Sequence, residues 1–440
     1  MTMLPTPGTD RARTGGKMDA VFASAVGIDV HAQSLVCCHE WFDFESQSSR
    51  REEARFGTSQ SQLRAFQVWV KTRSPNQVVM ESTGVLWVAP YEALEDAGFQ
   101  TSQLVLANAR DVKGKKGHKT DANDAAHLAE LGRLDAVRGS FVPKRAFREQ
   151  RAIARQYIRA KQDFARMKNR KSKTLNQIGT RAGSVFSDIN GKSAGIILRA
   201  WADNDPNLDK IVESKSKILK HSADEILDAL APLNENEQQL LKIQEKQIAE
   251  SEKACRALMS LLRATQEPYE DLVERFMTIP GVKETAARLI LAEIGDDLSS
   301  FPSIRHFTSW AGICPGVKES AGKSLKGSRS LKGNRWLKSI LVEVASGISL
   351  MKKGYLREVF QKFKERRGRN RAIIALAHKL LRIIYTMIKS GISYVEKHVA
   401  VMKKFRAKRL ARALRQAEHM NLTFEGGSVC DRTSGEVLAR

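Results

Sequence analysis

At 440 residues the chain is too long for one ordinary globular domain and long enough for two or three. With 42% hydrophobic and 28% charged residues it is core-forming rather than disordered, and no apolar run approaches the ~20 residues that a membrane span needs. Its 73 Lys+Arg against 49 Asp+Glu leave a net charge of +24, which suits a polyanion, nucleic acid first, and its five scattered cysteines form no CxxC pair, against a zinc ribbon or disulfide framework. The N-terminus has no signal-peptide core, residues 1–20 read as a flexible tail, and a reducing, cytoplasmic setting is expected.

Residues 25–31 (AVGIDVH) and 35–42 (LVCCHEWF) are β-rich runs around a polar turn, and 52–57 supply a third strand. A helical pattern over 59–72 (Leu63, Phe66, Val70) precedes the apolar run Val78-Val79-Met80. Helix 86–97, strand Leu104-Val105-Leu106 and helix 120–134 follow, so antiparallel strands give way to strands alternating with helices. That order predicts a mixed α/β sheet covered by helices. Residues 145–200 turn helical and basic. In 208–265 the positions Leu240, Leu241, Ile243, Ile248, Leu258 and Leu261 are spaced for an antiparallel hairpin or coiled coil. Beyond Thr278-Ile279-Pro280-Gly281, a tight turn between helices, lies a glycine-rich basic stretch, 312–334. Helices at 336–348, 355–366 and 371–390 come next, and the last fifty residues read as a basic helix and a polar tail.

The excess charge is concentrated. Residues 143–182 hold 13 Lys/Arg against 2 acids, and residues 321–420 hold 26 against 5, too lopsided for a merely solvated face. In the first stretch Arg148, Arg151, Arg155 and Arg159 recur at helical spacing, a stripe suited to a phosphate backbone; Arg366, Arg367 and Arg369 form a second candidate.

The carboxylates of the first domain fall in a telling order. Asp29 ends the first strand and Glu81 a later one, while Asp121 and Asp124 lie three apart at a helix start, on one face. Asp121 and Thr120 compete as cap of that helix. Four such oxygen donors suit Mg²⁺ or Mn²⁺, and two such ions clamp the attacking and leaving oxygens of a phosphodiester. His31 and His118 read as neighbours of these ligands or as exposed residues rather than as ligands. In the second half, a small hydroxyl ringed by Lys323, Lys326, Arg329, Lys332 and Arg335 is suited to phosphoryl chemistry, and Ser320, Ser324, Ser328 and Ser330 all qualify.

The phrases GIDVH, MESTG, GHKTDANDAAHLAEL and ESAGK…KGNRWL, in this order over about residues 24–398, resemble the DEDD transposases of bacterial insertion sequences and the Piv-type DNA invertases, bridge-RNA-guided recombinases. The resemblance implies a RuvC-like, ribonuclease-H-type α/β domain over 21–142. It also implies a basic helix and helical, coiled-coil middle over 143–270, a mostly α C-terminal transposase domain over 271–398, and a basic helix and tail over 399–440. It singles out Ser320 as nucleophile and Asp29, Glu81, Asp121 and Asp124 as catalytic metal ligands. The implied partners are double-stranded DNA at element ends and target, a structured noncoding RNA that selects sites by pairing, and further copies of the chain, dimer to tetramer, around the nucleoid; no membrane is implied. The rival reading from the residues is a metal-dependent Holliday-junction-resolvase-like endonuclease that uses the carboxylates and water, which leaves the serine and its basic surroundings without a task.

Overall fold

The computed structural model describes residues 20–81, 84–108, 112, 120–314, 319–320, 323–324, 333–396, 399–425 and 428–439. The expected N-terminal tail (Ala20 apart), His118, Ser328, Ser330, Lys326, Arg329 and Lys332 lie outside the described residues, as do the side chains of Ser320, Lys323 and Ser324. The chain divides into two compact units, residues 1–142 and 143–440.

The first unit is a five-stranded sheet in the order β3-β2-β1-β4-β5. Strands β1 (Ser24–Val30), β2 (Ser34–Asp43) and β3 (Ser48–Gly57) are antiparallel neighbours, whereas β4 (Gln77–Glu81) runs parallel to β1, and β5 (Leu104–Ala107) parallel to β4. Helices α1 (Gln60–Arg73) and α2 (Val88–Asp96) supply the crossovers, because parallel neighbours cannot be joined by a tight turn. Val26, Ile28, Cys37, Val78, Met80 and Leu106 form one core layer with Leu63, Phe66 and Val70 of α1 and Tyr91 and Leu94 of α2. The other sheet face packs on α3 (Asp121–Arg133) through small residues, Ala125, Ala126 and Ala129, against Val36 and Cys38. Cys37 and Cys38 therefore bury on opposite faces, as alternation along a strand requires; burial pushes both thiols up, that of Cys38 to about 11, so they are packing residues. The edge strand β3 carries Arg50, Arg51, Glu52, Glu53 and Arg55, charges that discourage edge-to-edge pairing.

The second unit is mostly helical. Its first helix, α4 (Arg145–Gln177), is followed by four shorter ones, α5 (Ala182–Val185), α6 (Lys192–Ala202), α7 (Leu208–Ser216) and α8 (Ala223–Asp228), and then by the long α9 (Glu235–Gln266). Helices α4 and α9 pack antiparallel: Gln266 donates to Gln150 (3.2 Å), and Gln244 donates to Thr174 (2.8 Å). The hairpin expected inside 208–265 is thus corrected. The partner of α9 is the basic helix α4, because Leu241, Cys255, Met259 and Leu262 are the buried stripe, while Leu240, Ile243 and Leu261 face outward. The intervening α5–α8 build their own small core around Phe186, Ile197, Trp201, Val212 and Ile226, joined by Leu175 of α4 and Leu241 of α9.

Helices α10 (Glu270–Met277) and α11 (Glu284–Ile294) follow, and Ile279 and Val282 bury the turn between them in the core. Then come α12 (Ile304–Trp310), a two-residue pair of strands β6 (Glu319–Ser320) and β7 (Lys323–Ser324), and helices α13 (Arg335–Leu350), α14 (Tyr355–Arg367) and α15 (Arg369–Ser390). After α16 (Val399–His419), the expected polar tail is instead a three-stranded antiparallel sheet of β8 (Leu422–Glu425), β9 (Ser428–Asp431) and β10 (Val437–Ala439). In β8 the apolar Leu422 and Phe424 alternate with Thr423 and Glu425, as a strand with two unlike faces requires, whereas β9 and β10 carry the consecutive apolar residues Val429-Cys430 and Val437-Leu438-Ala439.

Candidate functional site

The carboxylates of the first unit meet at one end of the sheet. Because β1 and β4 are parallel, with Ile28 opposite Met80, the next residues, Asp29 and Glu81, stand at the same end. Alternation puts both on the side that faces α3. Helix α3 can come close because β1 carries Gly27 there. A Cβ added at Gly27 would lie 2.1 Å from the Ala125 carbonyl oxygen and 2.3 Å from the Ala129 nitrogen. Thr120 caps α3, its hydroxyl accepting from the Asn123 amide (3.3 Å). That leaves the carboxylates of Asp121 and Asp124, in the first turn, free of the capping role.

Within this group Asp29, His31 and Asp121 each bring one ligand atom within 4.8 Å of the others. His31 Nε2 lies 3.1 Å from Asp29 Oδ2 and 3.5 Å from Asp121 Oδ2, and Arg55 reaches Asp121 from β3 at 3.8 Å. Burial pushes the Asp29 carboxyl above its ordinary value; the nearby His31 lowers it, and the charges of Asp121 and Asp124 raise it further. Crowded carboxylates of this kind are what a divalent cation relieves, and hard oxygen donors with one imidazole fit such an ion. Glu81 and Asp124 stand nearby on β4 and α3 without joining the three-residue cluster. His31 was not expected as a ligand. The signal for it was present, since a residue two after Asp29 lies on the same face of an extended chain.

In the second unit Ser320 is the last residue of β6 and pairs in register with Lys323 of β7. The four arginines of α4 have different surroundings. Arg148 donates to the Pro143 carbonyl oxygen (3.0 Å). Arg151 and Arg155 turn inward onto Glu293 of α11, which is fully buried: Arg155 grips both its carboxylate oxygens (2.8 and 3.0 Å), and Arg151 reaches one (3.4 Å). Burial lowers the Arg151 guanidinium to about 10, with Glu293 acting against that fall. Arg159, with Arg155 and Arg335, surrounds the Trp336 indole at 5.5, 5.7 and 4.7 Å from its centroid. Arg159 and Arg335 are exposed and have no carboxylate partner among the described residues. Arg366, Arg367 and Arg369 are also exposed, at the elbow between α14 and α15, again with no carboxylate partner among the described residues.

Two family models match the chain in order. A DEDD transposase model of the IS110 type covers residues 26–180, and a model described as "Transposase IS116/IS110/IS902 family" covers residues 273–361. The chain belongs to the DEDD insertion-sequence transposases. Among its relatives, a putative transposase of Sinorhizobium fredii is 27% identical over 64% of this chain and 65% of its own length. The transposase of insertion element IS1111A from Coxiella burnetii is 30% identical over 30% of this chain and 37% of its own length. A pilin gene-inverting protein of Moraxella bovis is 34% identical over 26% of this chain and 36% of its own length. The chain thus spans just under two thirds of the first of these relatives and little more than a third of the other two. The first family model contains the acidic cluster and all four α4 arginines; the second contains Ser320 and Glu293. In the described residues no helix is long and apolar enough to cross a membrane.

Proposed function

We propose that the protein is a transposase and site-specific recombinase of an insertion sequence that cuts and rejoins double-stranded DNA through Ser320. The observation that carries the reading is the meeting of Asp29, His31 and Asp121 at the end of a sheet ordered β3-β2-β1-β4-β5, which supports a RuvC-like, ribonuclease-H-type domain. Asp29, Glu81, Asp121 and Asp124, with His31 beside them, would hold Mg²⁺ or Mn²⁺. When bound, such an ion offsets the charge that develops on phosphate oxygens during strand cleavage.

The Ser320 hydroxyl oxygen bonds to the phosphorus as the bond to one sugar oxygen breaks, and the serine proton ends on that leaving oxygen. One phosphate ester replaces another, so the bond energy is kept for rejoining. Arg159, Arg335, Arg366, Arg367 and Arg369, with Lys323, Lys326, Arg329 and Lys332, hold backbone phosphates, contacts indifferent to sequence. Sequence choice then falls to base pairing by a structured noncoding RNA, and the work of joining ends to an assembly of two to four copies near the nucleoid.

The test is to incubate the protein with Mg²⁺, element-end DNA and RNA from the flanking noncoding region, and then to denature it and look for DNA-linked protein. An adduct in wild type that vanishes in Ser320→Ala is the expected result. Cleavage without an adduct, lost only on Asp29→Ala, would replace this reading by a junction-resolving nuclease that hydrolyses through water, since the acidic cluster lies wholly in the first unit.

A further inference from the structure

The segment that carries Ser320 leaves α12 at Trp310–Gly312 and returns at Gly333–Asn334, and these two points touch. The Asn334 amide donates to the Trp310 carbonyl oxygen (3.1 Å). Gly333 is packed so tightly that a Cβ there would lie 2.4 Å from the Gly312 nitrogen and 2.5 Å from the Trp310 carbonyl oxygen. The two ends of the segment are therefore joined, as a neck, by main-chain contact that only glycine permits.

One side chain fastens that neck. Asn334 Oδ1 accepts from the amides of Trp336 and Leu337 (both 3.1 Å), capping α13, while its Nδ2 donates to Glu293 Oε2 (2.6 Å). Glu293 is fixed in turn by Arg155 and Arg151, and α4 is held to the end of α11 a second time by Lys144 on Asp296 (3.0 Å to each oxygen). Serine and aspartate cap helices as well as asparagine does. Neither offers an amide donor at the place Glu293 occupies. The two demands together single out asparagine, and they tie the neck of the Ser320 loop to the arginine helix through one buried carboxylate.

We propose that Asn334 and Glu293 are positioning residues for strand cleavage, holding the neck of the Ser320 loop at a fixed place relative to the arginines of α4. The proposal rests on the reading of Ser320 as nucleophile. Displacement of a reacting group by about 1 Å costs on the order of 100-fold in rate, so a clamp on the loop's base acts on the chemical step and not on DNA affinity. Removal of Glu293 would strand two guanidinium groups and threaten the fold, so the test is made at Asn334.

Asn334→Ser keeps the cap and removes the donor to Glu293. Three quantities are compared with wild type in the full chain: amide hydrogen exchange at residues 310–312 and 333–337, affinity for element-end DNA, and single-turnover cleavage at saturating DNA and RNA. The expected result is faster exchange at the neck, unchanged DNA affinity, and cleavage slowed roughly 10- to 100-fold. A wild-type cleavage rate in Asn334→Ser overturns the positioning role whatever the exchange shows, as does a fall in cleavage matched by an equal fall in affinity. Absence of the Ser320 adduct from wild type is a different result. It removes the nucleophile, and the exchange comparison then decides by itself whether Asn334 fastens the neck.

Discussion

At the scale of single residues, the acidic cluster is made by a side chain that is missing. Gly27 lets α3 lie against β1, and the atoms a methyl group would meet, Ala125 O and Ala129 N, are main chain and cannot swing aside. Gly27→Ala should therefore cost on the order of 3 kcal/mol in urea denaturation and push Asp121 away from Asp29. A change below about 0.5 kcal/mol would mean that α3 shifts freely. The carboxylates themselves were legible as a set, because their order and chemistry are written in the residues. The geometry among them was not. Whether Thr120 or Asp121 caps α3 depends on a backbone conformation that both side chains can serve, and Thr120 takes the role. His31 was set aside as a bystander although its strand parity with Asp29 pointed to the cluster.

At the scale of elements, α9 and α11 are joined by an ion-pair set that makes a pH prediction. Glu284 accepts from Arg263 (2.7 Å) and Arg288 (2.9 Å), and these bonds hold its carboxyl down to about 2. A folded value below the unfolded one means that the stabilisation is full above about pH 4.5 and is lost as pH falls towards 2. Glu284 is more than a third exposed, so solvent screening keeps the effect below about 1 kcal/mol. Glu284→Gln should start with a slightly lower Tm at pH 6, and the gap to wild type should close between pH 4.5 and pH 2. A gap that widens on acidification would contradict the assignment. The β strands of the first unit and the helices after 335 were readable from alternation and helical periodicity. The pairing of α4 with α9 was not, because α5–α8 lie between them in the chain and a charged helix such as α4 advertises no apolar partner. The small sheet at 422–439 was missed although Gly426-Gly427 stands between two β-rich runs, an ordinary hairpin signal.

At the scale of the whole molecule, the +24 charge includes cations that hold the protein together and cations with no carboxylate partner among the described residues. Arg151 and Arg155 belong to the first kind and the Arg366–Arg369 elbow to the second. Replacing Arg366, Arg367 and Arg369 with glutamine should leave Tm near wild type. It should also flatten the dependence of log affinity on log salt by up to about 0.9 per lost phosphate contact. Arg155→Gln should do the opposite, costing on the order of 1–3 kcal/mol of stability, because the buried Glu293 loses its two-pronged partner and keeps only Arg151 and Asn334. Equal salt slopes in wild type and the elbow variant would take that surface out of the nucleic-acid interface. Sequence showed how much positive charge there was and where along the chain it fell. It did not show which arginines were already spoken for, since Glu293 lies more than a hundred residues from Arg151 and Arg155.

The α4–α9 hairpin keeps count. Positions 150 and 171 on one helix face 266 and 245 on the other, equal steps of 21 residues along both. With 33 residues, α4 is about 50 Å long, and the step of 21 amounts to three heptads. Length in such an element comes in matched instalments: removing seven residues from both helices would bring the α5–α8 cluster about 10 Å nearer with the remaining pairs still facing one another. Removing a single residue from either helix would turn everything beyond it by about 100° and leave the cluster facing another way.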